Sequence, residues 1–192
     1  MQVLIPADRI RERVAEIARQ IAADFAGRPV TVVGVLTGSL IFLADLVRRL
    51  DVPVKIGLIQ ASSYRGASTA PGTLHVQPEL VPDVRGRDVL LVDDILDTGR
   101  TLFHLVRHLR GLEVASLKIA VLLRKQGRQE LSLEPDYCGF EIPNAFVVGY
   151  GLDFDDEFRQ LPYIAVLPEG YGRSSRQGLR KEPPGHEGFV SH

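Results

Sequence analysis

The stretch that most restricts the fold runs from Asp88 to Leu102, Asp-Val-Leu-Leu-Val-Asp-Asp-Ile-Leu-Asp-Thr-Gly-Arg-Thr-Leu. Val89 to Val92 is an unbroken apolar run with β-branched ends, the pattern of a strand buried on both faces of a parallel sheet. Asp93, Asp94 and Asp97 follow at once, and then Thr98, Gly99, Arg100 and Thr101. Leu102, Phe103, Leu105, Val106 and Leu109 repeat at helical spacing. The predicted order is buried strand, acidic and hydroxyl-bearing turn, helix N-terminus.

Such a turn suits a phosphate. The first amides of a helix lack internal partners and its dipole favours negative charge, so Thr98 to Thr101 can offer backbone N–H groups and two hydroxyls. The neighbouring carboxylates would repel a phosphate unless a polyhydroxylated or Mg²⁺-bearing part of the same ligand lay over Asp93 and Asp94. The competing reading makes Asp97 a helix cap and leaves Asp93 and Asp94 solvated.

At 192 residues the chain has room for one domain with a substantial core. A net charge of −1 gives no overall field to attract nucleic acid or an anionic membrane. A single cysteine, Cys138, excludes an internal disulfide framework and fits a reducing compartment. Charged residues follow Met1 to Pro6 directly, with no readable signal peptide and no long apolar run, so the expected location is the cytoplasm.

In chain order, Val3 to Ile5 reads as a short strand. Asp8 is the expected cap of a helix burying Ile10, Val14, Ile17, Ala18 and Ile21. Pro29 to Leu36 is a second strand, Thr37-Gly38-Ser39 a turn suited to an anion, and Leu40 to Leu50 a helix. Val54 to Ile59 is a strand, followed by a long polar and glycine-bearing segment with a returning strand at Thr73 to Gln77. A long irregular segment of this kind inside a domain suits a lid, with Tyr64 and Arg65 as its working side chains and Gly66 as its pivot. Leu117 to Leu123, Phe146 to Tyr150 and Pro162 to Leu167 are further strands. The expected architecture is an α/β three-layer sandwich with a central, mainly parallel sheet and a small hood. Function is expected at the carboxyl ends of its strands. Residues 1–168 are read as one domain and 169–192 as a flexible tail.

Val89 to Leu102 resembles the phosphoribosyl-diphosphate (PRPP) signature of the type I phosphoribosyltransferases. Three further blocks narrow the resemblance to the hypoxanthine-guanine branch, covering about residues 3 to 168. Leu36, Thr37, Gly38 and Ser39 match the pyrophosphate loop, with a cis peptide implied between Leu36 and Thr37. Thr37 stands where many relatives carry Lys, which leaves the loop its backbone amides. Ser63, Tyr64, Arg65 and Gly66 match the mobile lid. Asp93-Asp94 stands where Glu-Asp is common, and the pair is implied to meet the ribose diol and Mg²⁺. Thr98, Gly99, Arg100 and Thr101 fall on the 5′-phosphate loop.

For the base, the resemblance assigns Lys125 to purine O6, with Arg124 the adjacent basic residue. It assigns Phe146 to stacking, Val147 to main-chain contact, and Asp153 to the 2-position and a second Mg²⁺. Arg159 matches the arginine that meets pyrophosphate. Asp97 aligns with the acidic residue at purine N7, as general base or as electrostatic stabiliser; the sequence leaves both roles open. The implied reaction is phosphoribosyl transfer from PRPP to hypoxanthine or guanine, with Mg²⁺, in a homodimer or homotetramer having no nucleic-acid or membrane partner. The competing functions are transfer to another base, xanthine or a pyrimidine, and a non-catalytic nucleotide- or RNA-binding regulator on the same fold.

Overall fold

The computed structural model describes residues 1–63, 74–76, 81–168 and 171. The lid residues Tyr64, Arg65 and Gly66 lie outside the described residues, as does the tail apart from Tyr171; Ser63 closes a strand.

Five strands form a parallel core. The apolar run β2 (Val30–Leu36) pairs with β3 (Val54–Ser63) on one side and β5 (Asp88–Leu96) on the other. Beyond β5 come β6 (Ser116–Lys125) and β7 (Tyr137–Ile142), while β4 (Leu74–Val76) joins β3 antiparallel at the edge. Strand alternation divides the core in two. Val30, Val32, Leu90 and Val92 pack with α1 (Ala7–Phe25) and α2 (Leu40–Val47), whereas Val33, Val35, Val89 and Leu91 pack with α3 (Arg100–Gly111). The strands are apolar on both sides because both faces are covered. The hood is a separate antiparallel sheet in which β9 (Ile164–Val166) lies between β1 (Gln2–Ile5) and β8 (Val147–Val148).

This is the expected three-layer α/β arrangement, with local corrections. α1 buries all five anticipated residues, but Pro6 is its N-cap; Asp8 lies in the first turn, making no capping bond, where its charge still favours the dipole. α2 ends at Val47 rather than Leu50. Cys138 is half-buried, and the Arg13 guanidinium grips the Cys138 and Gly139 carbonyls at 2.8 and 2.9 Å. Tyr171, assigned to the flexible tail, sets its ring edge-on against Phe154 and Phe158.

The most consequential correction concerns the acidic residues. β5 continues through Leu96, so Asp93 and Asp94 belong to the strand and the turn begins at Asp97. β6 runs alongside and holds them in register, with Asp93 opposite Val121 and Leu96 opposite Arg124. β2 and β5 are neighbours, with β3 and β4 on one side of them and β6 and β7 on the other. The crevice between the carboxyl ends of β2 and β5 is therefore the topological switch point.

Candidate active site

A cavity of about 260 Å³ occupies that crevice, bounded by Val35 and Leu36 from β2, Asp93 to Leu96 from β5, and the turn into α3. On the β2 side the Leu36–Thr37 peptide is cis, as the resemblance implied. Ser39 turns its hydroxyl inward to donate to Val35 O at 2.6 Å, so its side chain supports the loop from below. Gly38 has no side chain, and the Asp94 carboxylate fills the space where one would project. The β2 loop and the β5 carboxylate are thus in direct contact.

Asp93 is 7% exposed and its Oδ1 accepts from the Asp94 amide at 3.0 Å. Burial, and then the adjacent Asp94 charge, pushes the Asp93 carboxyl well above the ordinary range. Burial also raises Asp94, partly opposed by its hydrogen bonds and by the Arg159 charge. Neighbouring carboxylates kept from water gain from a cation or from hydroxyl donors. A folded-state pKa raised above the unfolded value contributes stability below the unfolded pKa, and that contribution is lost as pH rises through the folded value. Asp93→Asn is therefore expected to stabilise the chelator-treated, ligand-free protein at pH 7 by about 1–3 kcal/mol. The advantage should shrink as pH falls toward 4; equal gains in thermal midpoint at both pH values would refute this account.

On the other side of the cavity, Gly99 adopts φ +82° and leads into α3, whose Phe103 amide donates to Gly99 O at 2.9 Å. Thr98, Gly99 and Thr101 line the cavity at the start of the helix, whose Arg100 amide donates to Thr98 Oγ1 at 3.5 Å. The Arg100 side chain turns away from the cavity to Glu130, with Nε 2.7 Å from Oε2, and is not part of the cavity wall.

Asp97 stands where β5 ends. The parallel register that sets Leu96 beside Arg124 brings Lys125 beside Asp97, with Nζ 2.9 Å from Oδ2. Arg128, which the sequence reading missed, donates from Nε to Oδ1 at 3.0 Å. Burial tends to raise the Asp97 carboxyl, but the bonds and charges of Lys125 and Arg128 outweigh it and hold the group below the usual range. Arg124 points elsewhere, making a bidentate pair with Glu134 at 2.7 and 2.8 Å. Of these two adjacent basic residues, Lys125 is the one that meets Asp97.

The hood packs against α2 and the loop after β2. Its Tyr150 hydroxyl donates to Asp45 of α2 at 2.7 Å. Gly151, at φ +103°, lies so close to the Gly38 carbonyl that no Cβ fits between them. Arg159 donates to Gly151 O at 2.7 Å and meets Asp153 at 2.9 Å. Phe146 is 53% exposed, its ring edge-to-face with Phe154 at 5.5 Å, and Val147 beside it is buried. Phe146, Asp153 and Arg159 lie outside the cavity lining, at the hood margin. Tyr150, Asp155, Asp156 and Phe158 all take positive φ, a concentration of strained backbone of the kind found where side chains are held for function.

Known proteins agree with this arrangement. A family profile for the phosphoribosyl transferase domain matches residues 6–155. The hypoxanthine-guanine phosphoribosyltransferase of Streptococcus pneumoniae R6 is 42% identical over 168 residues, 88% of this chain and 93% of that protein. The Staphylococcus aureus Mu50 enzyme of that name is 39% identical over 171 residues, 88% and 96% of the two chains. A crystal structure of a Bacillus anthracis hypoxanthine-guanine phosphoribosyltransferase, with HEPES in its active site, superposes with a TM-score of 0.82 at 38% identity, covering 88% of this chain and 99% of that one. The chain belongs to the phosphoribosyltransferase family. Within it, the chain falls among the hypoxanthine-guanine phosphoribosyltransferases.

Proposed function

We propose that this enzyme transfers the phosphoribosyl group of PRPP to N9 of hypoxanthine or guanine, giving IMP or GMP and pyrophosphate in purine salvage. The observation that carries this reading is the Lys125–Asp97 pair, 2.9 Å apart at the edge of the phosphate-suited cavity. A donor and an acceptor side by side complement O6 and the protonated N7 of a 6-oxopurine.

In this reading the Thr98–Thr101 amides hold the 5′-phosphate and Asp93 and Asp94 accept from the ribose hydroxyls. The backbone of Leu36 to Ser39, with Arg159, holds pyrophosphate. Phe146 stacks on the base, Val147 meets it through the main chain, and Asp153 stands near its 2-position. Asp97 takes the N7 proton or stabilises the positive ring as the N9 bond forms. Lys125 donates to O6.

The carboxylates fit Mg²⁺. Among the described residues no group of three or more His, Cys, Asp or Glu gathers to hold a metal. Mg²⁺, however, commonly uses one or two carboxylates together with waters and substrate phosphates. Asp93 and Asp94 are such a pair, whereas Asp153 is already ion-paired with Arg159 at 2.9 Å and suits the metal less well. Bound there, Mg²⁺ would neutralise the diphosphate leaving group.

Among the described residues no helix is long and apolar enough to cross a membrane; the cytoplasm is the proposed location, supported by the single cysteine, which fits a reducing compartment. A homodimer or homotetramer is the proposed assembly, to be read by sedimentation; exposed Leu40 and Ile41 on α2 support self-association.

A substrate panel with PRPP and Mg²⁺ tests the reaction. Hypoxanthine and guanine should turn over within about tenfold of each other. Adenine should be poorer in kcat/KM by at least about 100-fold, because its amino group sets a donor against Lys125. Lys125→Met should slow both good substrates and narrow their lead over adenine. Equal losses on all three bases would move O6 recognition to another residue.

A further inference from the structure

Asp97 has a cation on each oxygen, and the two cations differ in what they are free to do. Lys125 is the more enclosed, its side chain 12% exposed, against 43% for Arg128. In the reading above, which this inference rests on, Lys125 donates to the purine and its bond to Asp97 loosens when the base arrives. Arg128 approaches the opposite oxygen from the turn after β6. Its planar guanidinium donors lose less freedom than a lysine's on forming a directed bond.

The turn that carries Arg128 is itself fastened to the phosphate loop. The Glu130 amide donates to Thr98 O at 3.1 Å, and the Glu130 carboxylate holds Arg100 at 2.7 Å. Residues 128–130 therefore run beside 97–100 with a contact at Asp97, at Thr98 and at Arg100. The other charges near Asp97 are Asp93 and Asp94, earlier on β5, and Arg100 on α3, which is occupied by Glu130.

We propose that Arg128 is a positioning residue for the transfer step, anchoring Asp97 to the phosphate loop while Lys125 is drawn to the base. The surrounding charges agree with this, since Arg128 is one of the two groups that offset the burial of Asp97.

A double-mutant cycle tests it. Arg128→Met should lower kcat for hypoxanthine about tenfold with the KM for PRPP within about twofold, as when an interaction made mainly in the transition state is lost. The acidic limb of kcat/KM should move to higher pH, because the removed cation favours the charged carboxylate. Arg128→Lys should recover most of the rate. Arg128→Met combined with Asp97→Asn should be no slower than Asp97→Asn alone. A double variant slower by the full Arg128 factor, or an Arg128→Met enzyme within twofold of the parent, overturns the proposal.

Titration of the Asp97 carboxyl by ¹³C NMR, in the parent and in Arg128→Met, separates this inference from the substrate assignment. A parent that turns over no 6-oxopurine defeats the assignment, whereas an Asp97 titration unmoved by Arg128→Met defeats the anchoring contact itself.

Discussion

Asp97→Asn is expected to lower kcat about 10–1000-fold with hypoxanthine or guanine, while PRPP affinity changes much less. The substitution keeps the volume, and the amide oxygen can still accept from one of the two cations. The amide nitrogen, however, must then face the other cation, donor against donor, where the native carboxylate accepts at 2.9 and 3.0 Å. Charge and geometry fail together, at the point where positive charge develops on the base. Lys125 and Arg128 hold Asp97 below the ordinary carboxylate range, so protonation of this group should not be what limits the parent on the acid side of neutrality. A variant keeping more than half the parent kcat would take Asp97 out of the chemical step, once pre-steady-state measurements show that chemistry limits turnover.

Gly151→Ala should be among the most damaging single-methyl changes. At φ +103° a side chain is strained before any contact is counted, and its Cβ would overlap the Gly38 carbonyl oxygen, a backbone atom that no rotamer change can move. Backbone strain contributes about 1–3 kcal/mol, and displacing the loop brings the expected loss to about 3–5 kcal/mol. Because the displaced segment is the loop proposed to hold pyrophosphate, the KM for PRPP should rise as well. Gly111→Ala is the control: it lies at the end of α3 with open space around its Cβ position, and should be neutral or slightly stabilising. Equal melting temperatures for the two variants would mean that the hood does not bear on the loop.

The elements were legible in the sequence because each has a clear period. The helical stripe from Ile10 to Ile21 and the apolar runs of β2 and β5 left little room for another fold. The end of β5 was not legible, since aspartate disfavours strands and a local reading ends the strand at Val92. The neighbouring β6 decides the matter by extending the ladder to Leu96 and Arg124. The blocks of the site were legible as motifs, but their wiring was not. The Lys125–Asp97 contact spans 28 residues and follows from the β5–β6 register. Arg128 stood only three residues beyond Lys125, and no periodicity marks it. Asp8 illustrates the limit of capping rules, because Pro6 is the N-cap and the acidic residue stands two positions later, at the second residue of the helix.

Gly38 and Asp94 fill one volume between them, with the missing side chain of the first making room for the carboxylate of the second. In a saturation library the two positions should therefore behave as one locus. Substitutions at Gly38 that are lethal alone should become tolerable for folding beside Asp94→Gly or Asp94→Ala, and they should still be inactive. Selection for abundance would recover such pairs and selection for growth on a salvaged base would not. Directed evolution of this loop has to travel through Asp94, and the functional cost of that step keeps Gly38 fixed.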